Sequence, residues 1–348
     1  MNKNILKVLA ILVLVCTFGT LMVSCKKDPV LNDYKLGLGV TVSLESSKTG
    51  TAQVDATAAT VVTDKDGKIV LCRIDVAQNK VPIANGVATI PAEFKTKMEL
   101  GDAYGMAGKV DNNGDGVMKE WYEQVKAFET YVVGKTAAEV EGIATEFVNG
   151  HYIAKDEALL TAGCTIQITD FISAVVKACK DDQAVSFKSE GNFTLGVALN
   201  SYNDGTKDAT ADATGTVQVY SDIAASVVEG GKIVASINDA IQPKIIFNAA
   251  GEITDKKFSD TKRVLKGGYG MAGKVDNNGD GVMKEWFEQS AAFSSFVVGK
   301  TAAEVKALET QAANGHDIAK DDALLTAGCT IQITGIKAVV AESVENAR

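Results

Sequence analysis

From residue 35 to residue 45 the chain alternates apolar and polar positions, and "AQVDATAATVVT" at 52–63 continues in the same way. A period of two predicts strands whose successive side chains face opposite sides. Between the second strand and the next, "DKDG" at 64–67 supplies turn chemistry, with Gly67 free to take a positive φ. "KIVLCRIDV" at 68–76 is then the third strand of an antiparallel meander. Beyond it the period changes. Over 118–133, Trp121, Val125, Phe128 and Val132 fall at i, i+4, i+7 and i+11, one apolar face of a helix that Gly134 stops. "TAAEVEGIA" is a short helix, with Thr136 as N-cap and Glu139 three residues later as a capping box. "CTIQIT" at 164–169 alternates and is predicted as a strand, with Cys164, Ile166 and Ile168 on one face and Thr165, Gln167 and Thr169 on the other. The Cys is thereby expected to be buried and inert, and Thr165 to face outward at the end of a glycine turn. "DFISAVVKAC" at 170–179 closes the series as a helix. Strands first and helices afterwards predict an α+β fold with a mostly antiparallel sheet and flanking helices.

The same series occurs twice. "YGMAGKVDNNGDGVMKEW" is identical at 104–121 and 269–286, "VVGKTAAEV" at 132–140 and 297–305, and "ALLTAGCTIQIT" at 158–169 and 323–334. The amino-terminal parts match more weakly, "DGKIVLCRID" at 66–75 against "GGKIVASIND" at 230–239. The expected organisation is two tandem copies of one domain, repeat 1 over 35–182 and repeat 2 over 183–348.

Residues 1–24 read differently. Lys3 and Lys7 precede the apolar run "VLAILVLVCTFGTLMV", which ends at Ser24-Cys25 and is followed by Lys26 and Lys27. That layout is a secretory signal of the lipoprotein type, with Cys25 as the lipidated residue and 25–34 as a tether. The expectation is an exported protein, lipid-anchored at the outer face of a bacterial cell membrane; a single-span anchor is the alternative, and the run is near the lower length for spanning. A net charge of −9 argues against nucleic acid as a partner. Among the six cysteines, none of the spacings is a C-x-x-C metal or haem pattern.

Candidate chemistry is sparse. The "DNNGDG" loops at 111–116 and 276–281 place Asp111, Asn113 and Asp115, and Asp276, Asn278 and Asp280, at positions 1, 3 and 5 of an EF-hand-type Ca²⁺ loop, with Gly at position 6. Position 12 is Tyr122 or Phe287 instead of Glu, so Glu120 is the expected further ligand of a non-standard Ca²⁺ site; a plain polar turn is the alternative. His151 and His316, each in "NGH", read as surface-loop residues, and Trp121 and Trp286 as core, with stacking on a planar ligand as the alternative for the tryptophans. No G-x-S-x-G is present, and "LGLGV" at 36–40 lies inside a strand pattern, so it is not a dinucleotide loop.

The order of motifs resembles the FMN-binding domain of exported flavoproteins, found in the flavin subunits of the Rnf complex and of the sodium-pumping NADH:quinone reductase. The residues that carry the resemblance are "DGKIVLCRI" at 66–74, "YGMAG" at 104–108, "WYEQVKAFETYVVGK" at 121–135 and "AGCT" at 162–165, with "YGMAG" at 269–273, "WFEQSAAFSSFVVGK" at 286–300 and "AGCT" at 327–330 in the second copy. In that family a Ser-Gly-Ala-Thr turn holds FMN through the Thr. The resemblance therefore implies that Thr165 with Gly163, and Thr330 with Gly328, hold an FMN phosphate. It also implies a membrane redox complex and a flavin transferase as partners, and an electron carrier more than a catalyst. Here Ala162 and Ala327 replace the Ser, and Cys164 and Cys329 replace the Ala. The alternative function is a cell-surface binding or structural lipoprotein without flavin, steadied by Ca²⁺.

Overall fold

In the computed structural model, which describes residues 31–348 apart from 110, 112, 113, 115 and 117, the chain opens with long antiparallel strands. These are β1 (Asn32–Ser43), β2 (Thr51–Asp64) and β3 (Ile69–Ala84), followed by the short β4 (Val87–Ala88). Helices and one hairpin come next: α1 (Lys97–Leu100), α2 (Trp121–Val132), α3 (Ala137–Glu141), β5 (Thr145–Val148), β6 (His151–Ala154), α4 (Glu157–Thr161) and α5 (Thr169–Cys179). β7 (Val185–Ser189) leads into β8 (Thr194–Asn203), β9 (Gly215–Glu229), β10 (Lys232–Ile241), β11 (Lys244–Phe247) and β12 (Ile253–Lys257). The same helical series then returns as α6 (Lys262–Leu265), α7 (Trp286–Phe296), α8 (Ala302–Lys306), β13 (Thr310–Ala313), β14 (His316–Ala319), α9 (Asp322–Thr326) and α10 (Thr334–Glu345).

The fold is α+β, and every strand pairing in it is antiparallel. The first sheet has the order β4-β3-β2-β1-β7. β7 lies beyond residue 182, where the sequence pattern placed the end of the first repeat, and it extends the sheet of the first half by pairing with β1. In the second sheet β9 pairs with β8 on one side and with β10 and then β11 on the other, and β12 pairs with β11. β3 runs unbroken for 16 residues, whereas β10 and β11 are separated at Gln242-Pro243. Proline has no N–H to give a ladder, which is a local reason for the interruption.

The two sheets pack face to face. Leu36, Leu38, Val40, Val54, Ala56 and Val62 of the first sheet share one buried cluster with Leu195, Val197, Leu199, Val219, Ile223 and Val227 of the second. Each outer face carries its own helices, so the layers run helix, sheet, sheet, helix. On the first outer face, Ile69, Cys72 and Ile74 pack with Trp121, Val125 and Phe128 of α2 and with Phe171, Ala174 and Val175 of α5. On the second, Ala224, Ile233 and Ala240 pack with Trp286 and Phe293 of α7 and with Ile336, Val339 and Val340 of α10. Residues Asn32–Arg348 consequently form one compact unit.

The glycines of "LGLGV" have a packing reason. A Cβ on Gly37 would lie 2.0 Å from the Ala178 carbonyl oxygen, and one on Gly39 2.1 Å from that of Ala174. α5 thus rests directly on the backbone of β1. α10 rests on β8 in the same way, where a Cβ on Gly196 would lie 1.9 Å from the Ser343 oxygen.

Most predicted elements match to within a few residues, with two clear differences. β3 extends eight residues past 76, because its inner face stays buried through Val81 and Ile83. "CTIQIT" is not a strand: 164–168 are irregular, and Thr169 already opens α5. The Ile168 N–H donates to the Tyr152 oxygen of β6 at 3.1 Å, but no ladder forms along the segment, so alternation alone did not make it a strand.

Two outcomes are expected. Gly196→Ala should lower stability by about 1–3 kcal/mol in chemical denaturation, the usual cost of overpacking; an unchanged midpoint would show that α10 does not press on β8. Fragments 31–190 and 191–348, made separately, should bind a hydrophobic dye and lack a cooperative unfolding transition, since each would expose an inner sheet face.

Candidate functional site

The two "AGCT" turns were expected to offer Thr165 and Thr330 to a phosphate. Their surroundings are the reverse. Thr165 is 0% exposed and Thr330 1% exposed. The Thr165 N–H donates to Gln124 Oε1 at 2.9 Å and its hydroxyl to the same oxygen at 3.3 Å; Thr330 does the same with Gln289, at 2.8 and 3.3 Å. Gln124 and Gln289 are themselves fixed, each donating through Nε2 at 2.9 Å to the backbone oxygen of Lys119 or Lys284. The outward-facing Thr is therefore corrected: Ile166 and Ile168 are buried and Gln167 exposed as the alternation predicts, but Thr165 breaks the pattern and its hydroxyl turns into the core beside Cys164.

Gly163 and Gly328 do adopt positive φ, 86° and 82°. The space a Cβ would fill is already occupied by a lysine, with Lys119 Cε at 2.7 Å and Lys284 Cε at 2.7 Å. Each ammonium donates to the carbonyl of the preceding alanine at 2.8 Å. The turn is roofed by a lysine stem, and the glycine serves that contact. As expected, Cys164 and Cys329 are buried, and burial pushes both thiols up to about 12.

Cys25 lies outside the described residues, as do Asn113 and Asp115. Asp111 caps its own loop, accepting from the N–H groups of Gly114 at 2.7 Å and Gly116 at 3.0 Å. Asp276 does the same with Gly279 and Gly281, and Asp280 accepts from Val282 at 2.7 Å and from Asn278 Nδ2 at 2.8 Å. Glu120 does not turn to the loop. Its carboxylate accepts from Met106 and Ala107 at 3.0 and 2.9 Å, which removes it as the expected further Ca²⁺ ligand. Among the described residues, no group of three or more His, Cys, Asp or Glu side chains is placed to hold a metal. Asn278 Oδ1, however, is buried without a hydrogen-bond partner. His151 and His316 are exposed as expected, though each begins a hairpin strand.

Sequence reasoning passed over a different constellation. In each half a lysine at the start of the short helix sits over aromatic rings. Lys97 Nζ lies 5.0 Å from the centre of Tyr104 and 5.3 Å from that of Trp121. Lys262 Nζ is enclosed by Tyr269 at 4.6 Å, Tyr220 at 4.7 Å and Trp286 at 5.6 Å. Such cation–π contacts strengthen as the cation is desolvated. Behind the lysines, Asp75 on β3 accepts from the Met98 N–H at 3.2 Å, and Asp239 on β10 from the Arg263 N–H at 3.0 Å. These two acids anchor α1 and α6. Their signal was the lone carboxylate in the apolar strands "CRIDV" and "SINDA".

The halves differ where the lysine meets its carboxylate. In the second half Asp222 projects from β9, and a Cβ on Gly335 of α10 would lie 2.0 Å from its Oδ2. At the same offset the first half has Thr57 on the strand and Asp170 on the helix. The acid has exchanged sides, and the glycine in α10 is what lets Asp222 stand there. Tyr202 donates to Asp222 Oδ2 at 3.3 Å and stacks on Tyr220 at 5.1 Å between centroids.

This second-half constellation opens into a cleft with two adjoining compartments. One, of about 310 Å³, is bordered by Tyr202, Asp222, Trp286, His316, Gln332 and Gly335. The other, of about 560 Å³, is bordered by Lys244, Lys256, Lys257, Phe258 and Ser259. Gln242, Lys262 and Tyr269 border both. Burial raises Asp222 to about 7 and lowers Lys262 to about 8. A cleft with aromatic walls, a few convergent polar groups and titratable residues displaced toward neutrality has the features of a small-molecule site.

Comparison with protein-family models, with curated proteins and with solved structures found no match. Among the described residues, no helix is long and apolar enough to cross a membrane.

The buried acids set a pH dependence. Burial raises Asp75 and Asp222 to about 7 and Asp239 to about 6, from an ordinary 3.8. Between about pH 4 and 7 the folded chain therefore retains protons that the unfolded chain has lost, so stability falls as pH rises through that window. The denaturation midpoint should be higher at pH 5 than at pH 8, and Asp75→Asn should flatten the slope. A midpoint that rises from pH 5 to 8 would contradict this.

Proposed function

We propose that this chain is an exported, lipid-anchored binding protein, built from two tandem copies of one domain, whose second copy holds a small ligand in the cleft around Lys262. The observation that carries the reading is the cleft itself: an aromatic and a lysine-rich compartment that meet at one buried lysine. The repeated runs support the duplication, and the Lys3–Cys25 segment supports anchorage at the outer face of the membrane. Asp222 and Gly335 stand where the first half has Thr57 and Asp170, in segments where the copies match weakly, and this exchange supports one copy keeping the site.

The electron-relay reading, with FMN held by Thr165 and Thr330, needs a reachable hydroxyl, and both hydroxyls are enclosed. FMN therefore enters as one ligand to try in the cleft, with a redox complex as partner only where flavin is carried.

The chain has two tryptophans, so Trp121→Phe leaves Trp286 as a single reporter in the cleft. Titration with ring compounds, including FMN, nucleosides and monosaccharides, should give saturable changes in emission for at least one class, lost in Tyr202→Ala. No response from any class up to about 1 mM, an affinity of only about −4 kcal/mol, would remove the binding reading.

A Ca²⁺-steadied loop is a second element of the proposal, favoured by the unpartnered Asn278 Oδ1 beside Asp276 and Asp280. A ligand that binds only the folded state raises apparent stability. Ca²⁺ should raise the melting temperature of the wild type and not that of Asp276→Ala. Equal melting curves with Ca²⁺ and with chelator would leave the loop as a self-capped turn.

A further inference from the structure

We propose that the lysine-lined compartment takes the phosphate monoester of a ring-bearing ligand, whose ring enters the neighbouring aromatic compartment; this rests on the cleft being a ligand site. The chain carries a net charge of −9, yet Lys244, Lys256, Lys257 and Lys262 all border one cavity of about 560 Å³. Pairing in the sheet sharpens the point. Lys244 stands directly opposite Lys257 across β11 and β12 on one face, while Lys256, opposite the buried Ile245 in the next register, points to the other face toward Glu45. Like charges directly opposite each other destabilise a strand pair.

Lys262 has Asp222, Asp204 and Asp239 as nearby counter-charges, so the uncompensated charge rests on the exposed lysines. Lys256 meets Glu45 at 3.1 Å and Lys257 meets Asp255 at 3.3 Å, both on the surface, where such pairs contribute little. Asp260 also borders the cavity. Among the described residues, Lys244 has no carboxylate within ion-pair distance. An anion between Lys244 and Lys257 would turn their repulsion into attraction. Lys244 and Lys257 on one face, with Lys262 at the border of the same space, suit a dianion better than a single carboxylate, and lysine binds phosphate as a point charge. Ser259 and Gln242 add hydrogen-bond donors at the same wall. The ring is implied by the shared border, since Lys262 and Tyr269 face both compartments and Tyr202 and Trp286 lie in the second.

The test uses Trp286 emission in the Trp121→Phe chain, with phenyl phosphate, benzoate and phenyl glucoside as probes. Phenyl phosphate should bind roughly tenfold or more tightly than phenyl glucoside, and its affinity should fall with added salt. Lys244→Ala with Lys257→Ala should abolish that advantage while leaving the phenyl glucoside response in place. Without ligand and at low salt, the double variant should be at least as stable as its parent, which also shows that it folds. Undiminished phenyl phosphate binding in the double variant would overturn the proposal. Equal affinity for phenyl phosphate and phenyl glucoside would overturn it too, while leaving the cleft a ring-binding site. Benzoate matching phenyl phosphate would replace the phosphate with any anion. No response to any of the three probes would overturn this inference together with the binding reading.

Discussion

The buried contact between the inner faces of the two sheets is the constraint on which the rest of the molecule depends. Leu36, Leu38 and Val40 have no helix to cover them, because α5 is already seated on the other face of β1. Their cover is Leu195, Val197 and the neighbouring strands of the second sheet. A sheet with one apolar face needs one partner, but a sheet with two needs two. A single repeat supplies only the helical layer, so the second layer has to come from the other half. Each half therefore needs the other to bury the inner face of its strands.

Polar groups at this junction follow the same logic. The Arg263 guanidinium and Asp181 meet at 2.8 Å with side chains only 8% and 5% exposed, and Asp181 also accepts from the Leu38 N–H at 3.1 Å. Arg263 lies in α6 of the second half, while Asp181 closes the first. Breaking a buried pair of this kind strands a charge, whereas an intact one contributes mainly to orientation. The pair fixes α6, and α6 carries Lys262. The position of the lysine in the cleft is thus set by a contact between the halves, even though the rings around it belong to the second half alone.

The identical "AGCT" turns and the divergent cleft offer opposite lessons about repeats. Thr165, Gln124 and Lys119 recur as Thr330, Gln289 and Lys284 with the same hydrogen bonds, because they tie a helix to a turn in the core. Lys262 and Asp222 occupy a place where the first half has Lys97 and Thr57, and only there does a glycine in the covering helix leave room for a strand carboxylate. The identical segments carry these packing contacts and also supply Tyr269 and Trp286 to the cleft, while Asp222 and Gly335 lie where the copies differ.

Much of the architecture was legible in the sequence. The period of two in 35–45 and 52–63, the apolar face from Trp121 to Val132 and the capping box at Thr136 each depend on neighbours within one turn or one strand, and each formed as read. The antiparallel α+β class followed from the order of those patterns. Two inferences about what lies across space failed. "CTIQIT" alternates like a strand but forms no ladder, and Thr165 turned inward. Glu120 lies near the Asp111 loop in sequence, yet its carboxylate is taken by Met106 and Ala107. The meeting of Lys244, Lys257, Lys262 and Tyr202 joins positions up to 60 residues apart, and no spacing rule connects them. The sequence by itself determined the elements, their class and their repetition, because those are set by local periodicity. The tertiary structure alone decided which faces are buried and which side chains share a cavity, because burial and charge proximity depend on distances that only the packed sheets establish.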